Sequence, residues 1–137
     1  MVKYELFPLK RFRLEEGDVL KGVGITDSGF VSFGEVYFSQ IKRGKVKGWK
    51  KHTVAQLNIV VPVGSVEFVI KDFQGNVDNI VLGEDNYQRL VIPRGLWFAF
   101  KGLADNSTIM SLTNIIHDPN ESENKRLLSP EIFKVGV

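Results

Sequence analysis

The sequence predicts an all-β protein, built as a sandwich or barrel of short strands. Thirteen glycines in 137 residues recur at spacings that would interrupt any long helix. The runs between them are rich in Val, Ile, Phe and Tyr, which favour strands. The length suits one domain, residues 1–137, and 43% of the residues are hydrophobic, which is enough to build a core.

Nine strands are predicted between the turn residues, near 19–25, 31–41, 45–52, 55–62, 65–72, 78–82, 89–92, 96–101 and 107–115. Apolar and polar residues alternate in 65–70 and in 35–41, where Val36 and Phe38 share one face, so one face of each strand should be buried. The run 57–61 is nearly all apolar and should be buried on both faces, with Pro62 at a strand end.

Weaker patterns cover the rest of the chain. Segments 74–76 and 83–86 are rich in Gly, Asn and Asp, which is typical of hairpin turns or loops. Segment 118–132 starts with a helix signal but lacks an apolar stripe, so we expect a loop with at most one helical turn. Tyr4–Phe7 alternates like a strand that could cross to a partner.

Composition excludes several classes of function. The chain has no cysteine, which excludes disulfides, thiolate zinc sites and a cysteine nucleophile, and two histidines leave little for a metal site. A net charge of +2 is too small to indicate nucleic acid as the main partner. No apolar run reaches about 18 residues, and Met1–Phe7 carries charges where a signal peptide is apolar. We therefore expect a cytoplasmic protein without cofactor, metal or membrane contact.

The densest group of charged side chains lies in 42–52, where six of eleven residues are Lys or Arg. One interpretation is a site for an anion such as a diphosphate, with Lys47 as a contact and Trp49 as an apolar or stacking wall. The other is a solvated edge strand whose lysines discourage pairing with another sheet. The sequence alone does not separate the two.

Lys50 and His52 lie two apart on a predicted strand, so their side chains leave the same face. If that face lines a barrel interior, both enter the pocket, and histidine is a natural general acid or base. A histidine bonded to a backbone carbonyl fits the pattern equally well. His117, beside Asp118 in a predicted loop, is interpreted as a surface or loop-capping residue.

A second cluster, 91–100, combines a tight turn at Pro93 and Gly95 with three large aromatic side chains, Trp97, Phe98 and Phe100. At least two of the three are expected to pack in the core. Arg94 is the candidate for an anion contact at this turn.

The stretches Lys47–His52 and Ile92–Phe100, in this order, resemble those of the cupin-fold, RmlC-like nucleotide-sugar epimerases and isomerases. The resemblance covers about residues 31–132 and is nearest to the dTDP-4-dehydrorhamnose 3,5-epimerase family, with the sugar 3,4-ketoisomerases also similar. It implies a cupin-type jelly-roll barrel and a homodimer. It also implies metal-free proton transfer beside the ketone of a nucleotide-linked 4-keto-6-deoxy sugar. It makes Lys50 and His52 the catalytic candidates, and Lys47, Trp49, Gln56 and Arg94 the ligand contacts.

The chain departs from this family at the catalytic positions. The first family histidine falls on Lys50 and the second on Phe98, while the proton-donating tyrosine falls at Ile115 and Ile116. The aspartate that orients the base falls in the stretch Leu127–Pro130. Three hypotheses follow: an epimerase or isomerase using Lys50 or His52 as base, a catalytically silent cupin that binds a sugar nucleotide or another anion, and a scaffold subunit.

Overall fold

The computed structural model describes residues 2–126 and 130–136, and it confirms the all-β prediction. The ordered elements are β1 (Glu5–Pro8), β2 (Arg11–Phe12), β3 (Val19–Leu20), β4 (Glu35–Lys42), β5 (Val46–His52), β6 (Leu57–Val63), β7 (Ser65–Lys71), β8 (Val77–Gly83), β9 (Gln88–Ile92), β10 (Trp97–Gly102), β11 (Asn106–Thr113), β12 (Ser122–Asn124) and a 3₁₀ turn, Pro130–Ile132. In these described ranges, no helix has the length and hydrophobicity that a membrane crossing requires.

The strands form two five-stranded antiparallel sheets in a jelly-roll arrangement. The first sheet has the order β1-β9-β6-β11-β4 and the second the order β12-β5-β10-β7-β8, while β2 and β3 pair separately. The chain passes from the first sheet to the second at Gly64, which has a φ of 86° that favours glycine. A side chain there would collide with Ser107, so the crossover requires glycine on both counts.

The core lies between the two sheets, where the inward residues of both meet. Phe68, Ile70, Leu82 and Leu90 are fully buried there, and the Phe68 and Phe100 rings lie 5.6 Å apart between centroids. Their close packing supplies the apolar burial that a chain of this size needs for stability. Phe68 and Phe100 also form part of the floor of the cavity described below.

The outer face of the first sheet is covered by the segment 21–34. The Gly29 carbonyl accepts hydrogen bonds from the Asn58 and Gln56 side-chain amides at 3.0 and 2.7 Å. Because of this cover, residues 57–61 are buried on both faces, as predicted. Pro62 lies one residue before the end of β6, beside an irregularity in the pairing with β11 that tolerates its missing N–H.

The C-terminal segment 130–136 covers the outer face of the second sheet. Phe133 packs there against Val69 and Ala99. Glu67, fully buried on β7, accepts hydrogen bonds from the backbone N–H groups of Lys134 and Val135 at 2.7 and 3.0 Å, and from the Asn79 side chain at 2.7 Å. The buried Glu67 side chain therefore helps to fasten this segment to the barrel, together with the Asn79 amide, which donates to the Ile132 carbonyl at 2.8 Å.

Some boundaries differ from the predicted ones. The expected strand 19–25 contains only the two residues of β3, and the expected strand 31–41 corresponds to β4, which starts at Glu35 and ends at Lys42. The prediction that the apolar face of β4 is buried is wrong, since Val36 and Phe38 are 36% and 71% exposed. Tyr37 and Ser39 face inward instead, because the space inside β4 is a cavity and not packed core. β1 pairs with β9 of the same chain.

Candidate active site

The barrel is open at one end, where the two sheets enclose a cavity of about 710 Å³, called here the barrel cavity. Its deep wall is apolar and is formed by Leu57, Ile59, Phe68, Phe98, Phe100 and Ile109. Its remaining lining carries the polar and titratable groups Tyr37, Ser39, Lys47, Lys50, His52, Ser111, Thr113, His117, Glu121, Ser122, Asn124 and Lys125. An apolar chamber with a few convergent polar groups is the usual form of a small-molecule site.

His52, the last residue of β5, is hydrogen-bonded to a carboxylate inside the cavity. Its Nδ1 lies 2.7 Å from Oε1 of Glu121, and both side chains are largely buried. An ionised carboxylate can accept hydrogen bonds but cannot donate them. The proton of this hydrogen bond therefore lies on His52 Nδ1, and Nε2 is left to accept a proton. The Phe98 ring stacks on the imidazole, with 6.3 Å between the two centroids and 13° between the ring planes.

Glu121 is positioned by the backbone around it. β12 pairs with β5, and Ser122 lies opposite His52, which brings the preceding residue to the histidine ring. The second carboxylate oxygen, Oε2, accepts the backbone N–H groups of Val54 and Ala55 at 3.0 and 2.8 Å. Burial alone would raise the pKa of Glu121, but the hydrogen bonds from Ala55, His52 and Val54 together hold that pKa below its usual value. The carboxylate is therefore ionised beside His52.

Lys47 and Lys50 both line the cavity, although they lie three residues apart on a strand. Their partners on β10 are Phe100 and Phe98, and the pairing shifts between Phe98 and Ala99, so β5 contains one extra residue. This β-bulge lets two lysines face inward where simple alternation would allow only one. The Lys47 ammonium donates a hydrogen bond to the Gln40 carbonyl at 2.8 Å.

Trp49, placed at this bulge, contributes to the cavity lining but packs elsewhere as well. It contacts the outer cluster around Val69 and Phe133, and the Lys71 ammonium lies 5.6 Å from its ring centroid. The outward packing of its ring differs from the stacking wall that the sequence suggested.

Two further predicted ligand contacts lie outside the described cavity lining. The Gln56 side chain holds the Gly29 carbonyl on the outer face of the first sheet. Arg94 is exposed in the turn between β9 and β10. That turn contributes indirectly, because the Gly95 N–H donates to the His52 carbonyl at 2.8 Å and fixes the end of β5.

Tyr37 was not identified from the sequence as a site residue, yet it lines the cavity from the first sheet, facing the strand that carries His52. Its hydroxyl donates to Glu35 Oε2, and Glu35 Oε1 accepts the His117 N–H at 3.1 Å. This bond raises the pKa of Tyr37 and lowers that of Glu35. His117 is exposed, in agreement with the surface prediction, and lies at the cavity rim.

Glu121 was also missed by the sequence reasoning, which looked for the orienting carboxylate in Leu127–Pro130. Residues 127–129 lie outside the part of the chain that the structure describes, so the predicted position of the orienting carboxylate stays a prediction. The available indication was an acid in the loop before β12, but only the β5–β12 pairing shows which acid reaches His52. Within residues 2–126 and 130–136, no cluster of three or more His, Asp or Glu side chains could hold a metal ion.

Comparisons with known proteins agree with this geometry. The FdtA family model, described as WxcM-like, C-terminal, matches residues 25–126. The chain is 29% identical over 99 residues to the probable low-salt glycan biosynthesis epimerase Agl13 of Haloferax volcanii, a match covering 66% of this chain and 64% of that protein. The match thus spans less than two thirds of that relative's own length.

Two more proteins extend the likeness. The spore coat polysaccharide biosynthesis protein SpsL of Bacillus subtilis is 26% identical over 102 residues, covering 69% of this chain and 68% of that protein. The crystal structure of a dTDP sugar isomerase from Desulfovibrio desulfuricans G20 superposes with a TM-score of 0.88 at 31% identity, covering 93% of this chain and 86% of the other. The chain therefore belongs to the FdtA family, whose structural neighbours are cupin-fold, RmlC-like sugar-nucleotide epimerases and isomerases.

Proposed function

We propose that the protein is an isomerase or epimerase that moves a proton beside the ketone of a nucleotide-linked keto-deoxy sugar. One observation carries the proposal: His52, oriented by the ionised Glu121, lines a cavity large enough for a small ligand. A histidine held this way is a general base with a defined tautomer, and such groups contribute about 10²- to 10⁴-fold to rate.

The charge of the cavity supports an anionic ligand. Lys47, Lys50 and Lys125 contribute three positive charges to the lining, while Glu121 is its one carboxylate in the described part of the chain. A diphosphate bridging a nucleoside and a sugar would bind near the lysines, with the sugar against the apolar wall. The names of the relatives, a glycan biosynthesis epimerase and a dTDP sugar isomerase, point to the same class of ligand.

The proposed chemistry uses the two facing sheets. His52 Nε2 takes the proton from the carbon beside the ketone, and the C–H electron pair moves into the enolate. The Lys50 ammonium stabilises the negative oxygen, while Glu121 stabilises the imidazolium that forms. Tyr37 lies on the opposing sheet and donates its hydroxyl proton to carbon, which is the same carbon in an epimerase and the former carbonyl carbon in an isomerase. No metal enters these steps.

We further propose that the protein is a poor 3,5-epimerase. That reaction exchanges protons at two carbons, one on each side of the ketone, and needs an acid–base pair that reaches both. In the described part of the chain, His52 is the one histidine of the lining that is paired with a carboxylate, and Phe98, Ile115 and Ile116 add no acid or base. Proton removal from only one side of the ketone, as in a 3,4-ketoisomerase or a mono-epimerase, fits the described set better.

The same apolar residues favour a second candidate, a catalytically silent cupin that binds the sugar nucleotide. In that case Phe98 would serve to immobilise His52 as a hydrogen-bonding contact for the sugar. The two candidates agree on the ligand and differ on proton exchange, so an exchange experiment separates them.

The test is deuterium incorporation into dTDP-4-keto-6-deoxyglucose in deuterated water, followed by mass spectrometry. We expect incorporation by the wild type and at least about a 100-fold slower rate for His52→Asn, which keeps a hydrogen-bonding side chain. Arg94→Ala serves as the matched control, since Arg94 lies outside the described cavity lining. Tight binding without incorporation would identify the silent cupin, and neither binding nor incorporation would refute the ligand class.

We also propose that the protein is a homodimer. β4 is one of the two edge strands of the first sheet in the described part of the chain, and Val36, Phe38 and Phe33 expose apolar surface around it. Such surface is typical of an interface. Light scattering should give twice the monomer mass, and Phe38→Lys should reduce it, whereas a wild-type monomer at micromolar concentration would contradict the proposal. A cytoplasmic location stays a prediction.

A further inference from the structure

A second cavity, called here the outer cavity, lies on the opposite side of the first sheet from the barrel cavity. It has a volume of about 350 Å³. It is enclosed by the end of β1, the loop 21–28 and β9, and its lining is Phe7, Pro8, Leu9, Lys10, Lys21, Thr26, Asp27, Ser28 and Arg89. The proposed isomerase chemistry uses none of these residues.

Arg89 is the unusual member of this lining. It lies on β9 next to Leu90, which faces the core, so its own side chain points to the outer face of the sheet. The side chain is only 2% exposed. Nη1 donates to Asn58 Oδ1, and the guanidinium carbon lies 4.7 Å from the Phe7 ring centroid. The buried Nε has no hydrogen-bond partner in the described part of the chain.

A buried guanidinium normally pairs with a carboxylate or another anion, because removing a charge from water is costly. Among the described residues, no carboxylate lies within 4 Å of Arg89. Burial lowers the pKa of Arg89, and the more distant charges of Asp27 and Glu5 oppose this effect. The site therefore contains a buried cation whose direct anionic partner is missing from the described chain.

Asp27 does not fill this role, although it lines the same cavity. Its Oδ2 accepts the Gly24 N–H at 2.7 Å, and its Oδ1 accepts the Lys21 ammonium at 3.4 Å. Lys10 adds a further positive charge, so three cations and one carboxylate line the outer cavity. Hydroxyl groups from Thr26 and Ser28 complete a lining suited to an oxyanion.

We propose that the outer cavity binds a phosphate-sized oxyanion, with the Arg89 guanidinium as the buried cation and Lys10 and Lys21 as cations at the rim. The anion is either free phosphate or the phosphoryl end of a small ester, since both present the same oxygens. Binding there would tie β1 and the loop 21–28 to β9, and so would stabilise the cover of the first sheet by mass action.

The test follows the Arg89 Nε–H signal by NMR in ¹⁵N-labelled wild-type protein, and so depends on no substitution at Arg89. The protein is titrated with inorganic phosphate, with glucose 1-phosphate, and with sodium chloride at matched ionic strength. We expect a saturable shift with phosphate that chloride does not reproduce. A matching shift with glucose 1-phosphate assigns the site to phosphate esters as well, and its absence restricts the site to the free ion.

Surface variants locate the binding. Lys10→Ala should weaken phosphate binding, as read from the Arg89 Nε–H signal, about threefold or more, because one rim charge is lost. Lys134 is exposed in the segment that covers the other sheet, and Lys134→Ala should leave phosphate binding unchanged. Lys47→Ala removes a barrel-cavity charge and should also leave it unchanged, so the result does not depend on the proposed isomerase function. An Nε–H signal that does not move, or that moves equally with chloride, overturns the proposal.

Discussion

The substitution Glu121→Gln isolates the contribution of one carboxylate oxygen to the proposed active site. Glutamine has the same shape, and its amide oxygen can still accept the Val54 and Ala55 N–H groups. The amide nitrogen then faces His52 Nδ1, where a donor would meet a donor. His52 must therefore change tautomer or turn away, and Nε2 no longer accepts a proton from the cavity.

The expected magnitude comes from the bond that is lost. The contact between His52 Nδ1 and Glu121 Oε1, at 2.7 Å, is charge-assisted, and such bonds contribute about 1.5–3 kcal/mol. If the whole free energy of this hydrogen bond stabilises the imidazolium in the transition state, losing the bond lowers the rate roughly 10- to 200-fold. Binding of the nucleotide should change little, since the lysines are untouched.

The assay is the rate of deuterium incorporation into the keto sugar, together with the tautomer of His52 read from its ¹⁵N shifts. Glu123→Gln is the matched control, because Glu123 is a half-exposed neighbour on β12 paired with Lys51 at 3.3 Å. Its rate should stay within about twofold of wild type. An unchanged rate and tautomer in Glu121→Gln would refute the role assigned to this carboxylate.

Further predictions concern binding, stability and pH. Lys47→Ala should weaken dTDP binding about tenfold or more in calorimetry, while Arg94→Ala should not change it; equal effects would contradict the assigned cavity. Glu67→Gln should lower the free energy of unfolding by about 1.5–3 kcal/mol in urea and speed proteolysis after residue 126, since the buried carboxylate holds segment 130–136. Because the pKa of Glu121 is lowered on folding, its contribution to stability is complete above the ordinary value of 4.5 and is lost as pH falls through the lowered pKa. Wild type should thus lose more stability than Glu121→Gln as the pH falls below 4.5, and parallel losses would contradict this.

Much of the fold could be predicted because strand alternation and glycine positions are local properties. All seven predicted strands from 45–52 onward overlap an observed strand, and 57–61 is buried on both faces as expected. The buried face of β4 was predicted wrongly. Its inner face borders a cavity, where polar groups such as Tyr37 are tolerated. A period of two shows that two faces differ, and it does not show which one faces a cavity.

The candidate site was predictable only in part. Lys50 and His52 were identified from their spacing on a strand, and both line the cavity. Lys47 faces inward because of the β-bulge, which neither spacing nor composition indicates. Glu121 reaches His52 across 69 residues, through a strand pairing that involves only three residues of β12. Contacts of this kind depend on tertiary structure, and no local pattern contains them.

The central claim is that His52 transfers a proton at one carbon beside the ketone of a bound nucleotide sugar. The most direct measurement is a ¹H NMR time course of dTDP-4-keto-6-deoxyglucose with wild-type protein in deuterated water, resolving the hydrogens at sugar positions 3 and 5. The account predicts loss of one signal and persistence of the other, because a single His–carboxylate pair faces the cavity in the described part of the chain. Persistence of both signals in a saturated complex would contradict catalysis, and loss of both at similar rates would contradict the single-base site.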